Sequence, residues 1–93
     1  MFPEKIKQLR EERRLPLRKL AAALDIDSAT YWKIERGERR ARKEHIPIIA
    51  EILQGDYEEL LTLWLADQVT AVVADEQKIA DKALNIAKQK IKK

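Results

Sequence analysis

The chain has 93 residues, 38% of them charged, and a net charge of +3, which suits one small domain with an appended element. It has no cysteine and a single histidine. That excludes a disulfide framework, a thiolate metal site and a cysteine nucleophile, and any metal site would rest on carboxylates. The start Met1-Phe2-Pro3-Glu4-Lys5 does not have the pattern of a signal peptide. The longest apolar run, Leu60 to Ala66, is far short of the ~20 residues that cross a bilayer, so a soluble, cytoplasmic protein is expected. Two glycines and three prolines leave little room for strands or long loops, and the apolar spacing is helical nearly throughout. The charge comes in blocks. Residues 1–55 hold 13 Lys/Arg against 9 Asp/Glu, residues 56–76 hold six acids and no base, and residues 77–93 hold six bases and one acid.

In chain order, a first helix is predicted from Pro3 to about Arg14. Proline is well tolerated at the first helical position, Ile6 and Leu9 form the inward stripe, and Phe2 staples the start. Leu15-Pro16 turns the corner, and a second helix begins near Pro16 or Leu17 with Leu20, Ala21 and Leu24 on one face. Ala21 is small, as a close helix crossing there requires. Asp25-Ile26-Asp27 interrupts the pattern, and Ile26 can plug the space between helices. Asp27 or Ser28 caps a third helix through a side-chain oxygen, Tyr31 and Ile34 give that helix its buried side, and Gly37 ends it. A fourth helix starts near Lys43 to His45, with Pro47 in its first turn and Ile46, Ile49 and Leu53 inward; His45 is expected at the surface. Gly55 ends that helix. Asp56 caps the fifth, with Glu59 completing a partial capping box. The fifth helix begins at Tyr57 and uses Leu60, Leu61, Trp64 and Leu65 for the core. The apolar pattern then runs on through Val69, Val72 and Val73. Asp75 is expected to cap a last helix, Glu76 to about Lys90, with Ile79, Ala83, Ile86 and Ala87 on one side and lysines on the other.

The stretch Leu20 to Arg39 therefore has the pattern of two short helices joined by a tight turn, and the match extends beyond the turn. Trp32-Lys33-Ile34-Glu35-Arg36-Gly37-Glu38-Arg39 resembles the S-x-I-E-R-G-x-R signature of the XRE, or Cro/cI-like, helix-turn-helix family, and Leu9-Arg10 with Arg13 resembles that family's L-R-x-x-R. The resemblance covers roughly residues 2 to 65. It implies an all-α, five-helix lambda-repressor-like domain, residues 1–66, followed by a C-terminal helical extension, residues 67–93, expected as the dimerisation element. It also implies that the second helix lies across the DNA backbone and the third enters the major groove. At matching positions it implies a structural ion pair between Arg10 and Glu35.

On that third helix the outward side holds Ser28, Ala29, Trp32, Lys33 and Arg36, with Asp27 at its N-terminal end. Ser28 suits several base edges, and Ala29 suits a thymine methyl. Asp27 either accepts from a cytosine amino group or only caps the helix. Lys33 and Arg36 can reach guanine or phosphate. Trp32 stands where the family has serine: its indole either meets methyl groups or sugars, or clashes in the groove, or packs against the second helix or the next loop. The family carries glutamine where Leu17 stands. Arg18 beside it either supplies a phosphate contact or is simply solvated. Arg36 to Lys43 puts five bases in eight residues, so Arg39 and Arg40 are expected on phosphate.

The expected function is sequence-specific binding of a palindromic double-stranded DNA operator by a homodimer, as a repressor or controller of transcription. The extension supplies the dimer interface through Leu63, Val69, Val72 and Val73. The continuation L-T-L-W-L-A at Leu61–Ala66 resembles compact regulators of mobile or restriction–modification operons. The alternative is an antitoxin or other module holding a toxin or second protein. No nucleophile–base pair, ligand cluster or glycine-rich phosphate loop suggests an enzyme, a metal or a cofactor, and no membrane partner is expected.

Overall fold

The computed structural model describes residues 1–92; Lys93, at the end of the expected basic extension, lies outside the described residues. It is all-α, with α1 (Phe2–Glu12), α2 (Leu17–Ala23), α3 (Ser28–Glu35), α4 (Ile46–Leu53), α5 (Tyr57–Val73) and α6 (Gln77–Ile91), and a single 3₁₀ turn, Lys43–His45, leads into α4. There is no strand among the described residues. None of these helices is long and apolar enough to cross a membrane.

The core is drawn from all of the first five helices. Phe2 and Ile6, Leu20 and Ala21, Tyr31 and Ile34, Ile46, Ile49 and Leu53, and Leu60 are all buried. In α1, α3 and α4 the buried residues recur at three- or four-residue spacing, so each of these helices offers one apolar stripe to a common centre. Ala21 is buried where α2 meets α3. Leu17, at the glutamine position of the family, packs partly against this core, as does Ile26 from the turn.

The helix ends share one device. At the end of α3, Glu38 N–H donates to the Lys33 carbonyl at 2.9 Å and Gly37 N–H to the Ile34 carbonyl at 3.1 Å, with Gly37 at φ 76°. The same paired bonds close α1 around Arg14 (φ 55°), α2 around Asp25 (φ 58°) and α4 around Gln54 (φ 53°). These positions correct two expectations. The first helix stops at Glu12, because Arg14 takes the left-handed turn. Gln54, not Gly55, carries the left-handed conformation after α4. Gly55 serves a close approach instead: a Cβ there would lie 3.2 Å from Leu9 Cδ1 and 3.4 Å from Leu60 Cδ1.

α5 also departs from expectation. Its inward face runs through Leu60, Leu63, Trp64 and Asp67, the spacing of one helical stripe. Leu63, expected in an interface, therefore packs partly on the core, and Leu65, expected in the core, is 47% exposed. The expected domain boundary at residue 66 falls inside α5, and Asp67 just beyond it accepts a 2.9 Å hydrogen bond from Phe2 N–H. That bond supplies α1 with a cap its own sequence lacks. α6 buries no residue, and its start carries no side-chain cap from Asp75 or Glu76. Ala80 and Leu84 are half-buried, and Ile79, Ala83, Ile86 and Ala87, expected together on one side of the helix, are exposed.

Candidate nucleic-acid interface

Asp27 starts α3. Its carboxylate accepts a 2.6 Å hydrogen bond from Thr30 N–H, and this bond holds the Asp27 pKa below its ordinary value. A carboxylate used in this way is an anchor for the helix rather than a free acceptor. The partial box at α5 is one-sided: Asp56 accepts from Glu59 N–H at 3.2 Å, while the Glu59 side chain pairs with Lys5 at 3.2 Å.

α3 is fixed from behind by an ion pair. Arg10 Nε donates to Glu35 Oε2 at 2.8 Å and Nη2 to Oε1 at 3.0 Å, a two-pronged fit, and Nη1 reaches the Leu15 carbonyl at 2.9 Å. The Glu35 side chain is only 3% exposed. The bond to Glu35 raises the Arg10 pKa, so the guanidinium stays charged. Tyr31 lies alongside. Burial raises its phenol pKa, and the Glu35 carboxylate raises it further, although the hydroxyl meets no partner at hydrogen-bonding geometry. With Tyr31, Ile34 and Glu35 turned inward, the rotation of α3 about its axis is set.

The opposite side of α3 is open. Ser28, Ala29, Trp32, Lys33 and Arg36 are all exposed, and Arg18 is exposed on α2. Trp32 is 44% exposed, and the Arg36 guanidinium lies 4.4 Å from its ring centroid. Arg36 Nε also meets Glu38 Oε2 at 2.8 Å.

The basic loop continues from this face. Arg39, Arg40, Arg42 and Lys43 are exposed, while Ala41 between them is buried. Trp64 Nε1 on α5 donates to the Ala41 carbonyl at 2.8 Å and ties the loop to the core. The Lys33 carbonyl ties its start by accepting from Glu38 and Arg39 N–H. Sequence reasoning missed the Trp64 anchor, because a bond between residues 23 apart in the chain leaves no local signal. Beneath the loop a cavity of about 290 Å³ is lined by Asp25, Arg39, Arg40, Arg42 and His45 among others. His45, expected at the surface, is half-buried there, and its Nδ1 has no partner. No group of acidic or histidine side chains suited to a metal ion occurs among the described residues.

The structure thus brings Asp27, Ser28, Ala29, Trp32, Lys33 and Arg36 together on one helix, with Arg39 and Arg40 contiguous and Arg18 on the preceding helix. Comparison with known proteins finds no match among curated proteins and none among solved structures. A family model described as a helix-turn-helix domain matches residues 4–63, well over half the chain, from α1 into α5. Such a domain implies DNA as a partner and a role in transcriptional regulation. The chain belongs to the helix-turn-helix domain family.

Proposed function

We propose that this protein is a sequence-specific binder of double-stranded DNA that acts as a homodimer and regulates transcription in the manner of the Cro/cI-like, or XRE, subgroup. The observation that carries the proposal is the continuity of the outward face of α3 with the exposed basic loop Arg36 to Lys43. Bases are read from a helix face in the major groove, and phosphates are held by flanking cations. Ser28, Ala29 and Trp32 carry more of the choice of sequence; Lys33, Arg36, Arg39, Arg40 and Arg18 supply affinity, and Lys33 and Arg36 reach guanine or phosphate. A dimer so placed occludes a promoter, which is the simplest route to repression, and the continuation at Leu61–Ala66 fits control of a mobile or restriction–modification operon.

Dimerisation uses the surface the fold leaves uncovered. Leu65 and Val69 are each 47% exposed on α5 and Val72 is 82% exposed, and Ile79, Ile86 and Ile91 are exposed on α6. Apolar area of this kind on one small chain marks an interaction site. The acidic segment 56–76 and the basic segment 77–93 offer charge complementarity between two copies. A toxin or other second protein is the alternative occupant.

Binding to duplex DNA as a function of salt tests the proposal. Replacing Arg39 and Arg40 by alanine should weaken all sequences alike and lower the slope of log K against log salt by about one per lost contact. Unchanged affinity and slope would show that the loop faces away from DNA.

A further inference from the structure

The outward face of α3 carries three side chains locked to one another. Trp32 and Arg36 are one helical turn apart, with the guanidinium stacked 4.4 Å from the indole centroid. Glu38, in the turn beyond α3, holds Arg36 Nε at 2.8 Å. The guanidinium therefore lies over the indole and beside a carboxylate. The Arg36 and Glu38 side chains are 52% and 48% exposed, so the guanidinium keeps an edge toward solvent. An arginine ordered in advance loses less freedom on binding than a free one.

This arrangement has a natural complement in the major groove. An exposed guanidinium suits guanine, which presents O6 and N7 as paired acceptors. With the guanidinium level with a guanine, a ring centroid 4.4 Å away comes close to the level of a neighbouring base pair, since the rise between pairs is about 3.4 Å. The apolar group that a neighbouring pair projects into the groove there is a C5-methyl on a pyrimidine. Indole is apolar and broad enough to cover it. Serine, the residue of the related signature, is neither.

We propose that Trp32 and Arg36, with Glu38 as positioning residue, act as one unit that selects a 5-methylpyrimidine–guanine step, TpG or 5-methyl-CpG. This rests on the DNA-binding reading above and adds a ligand class to it: the unit distinguishes methylated from unmethylated pyrimidine, so cytosine methylation of a CpG step strengthens a site.

The test starts by selecting a consensus duplex from a random-sequence library with the full chain. The consensus is then synthesised with thymine, uracil, cytosine or 5-methylcytosine before the guanine, each with its proper complement. The parent should bind the uracil duplex about fourfold more weakly than the thymine duplex, the value of one buried methyl. It should bind 5-methylcytosine more tightly than cytosine by a similar factor. Trp32→Ala, at an exposed position and checked for helicity, should bind all four with no methyl dependence. Glu38→Gln should keep the methyl preference and lose part of the preference for guanine. Selective binding by the parent with no methyl dependence, a consensus with no pyrimidine–guanine step, or methyl dependence that survives Trp32→Ala would each overturn this inference alone. No selective binding to any duplex would overturn the DNA-binding reading and this inference with it.

Discussion

At the residue scale, Glu35 bears the largest single cost of failure. Its carboxylate is buried and receives two bonds from Arg10, which in turn holds the Leu15 carbonyl at the first corner. Glu35→Ala should destabilise the protein by about 3–5 kcal/mol, because it leaves a charge uncompensated in a poorly solvated place. A thermal melt matching the parent's would contradict this. A second residue-scale prediction concerns Gln54, which carries a side chain at φ 53°. Gln54→Gly should stabilise the protein by roughly 0.5–1 kcal/mol, since glycine removes the left-handed penalty. Denaturant titration reads the shift in midpoint. These two positions also mark the limit of what the sequence makes legible. Arg10 and Glu35 stand in recognisable motifs. Arg14, Asp25 and Gln54 carry none of the glycine signal that betrays Gly37, so the chain's reversals at those points were visible only as breaks in apolar periodicity.

At the element scale, the helices were legible because each pairs an apolar stripe with a stop or cap. α5 shows where that reading loses register. Apolar residues crowd the positions from Leu60 to Ala66, with only Thr62 between them, and admit more than one inward face, so periodicity alone does not choose between Leu63 and Leu65. Tertiary partners decide. Trp64 bonds the Ala41 carbonyl and Asp67 bonds Phe2 N–H, which turns Leu65 outward. Truncation is therefore expected to depend on a few residues. A chain ending after Val73 keeps both bonds and should melt close to the parent. A chain ending after Ala66 loses the Asp67 cap on α1 and should melt lower. Equal melting temperatures for the two would show that the second half of α5 adds nothing to the fold.

At the scale of the whole molecule, the arrangement is polarised. Cations gather on α3 and the loop after it, acids on α5, and lysines again on α6. α6 leaves its apolar side open, and the proposed dimer joins that side and the end of α5 to a second copy. In sedimentation at micromolar concentration the described chain should behave as a dimer, and the chain truncated after Val73 should shift toward monomer. A full chain that stays monomeric would contradict the dimer. The fold and the outward face of α3 were legible in the sequence, because a buried stripe on a short helix dictates which residues face out. The Trp32–Arg36–Glu38 grip and the Trp64 anchor were not, since both depend on side-chain placement that spacing does not encode.

The central claim is that two copies of α3 read DNA in adjacent major grooves. Selection of binding sites from random duplexes by the full chain tests it most directly. The account predicts enrichment of an inverted repeat whose half-sites lie about one helical turn, roughly 34–36 Å, apart. A selected pool with no enriched sequence would contradict it.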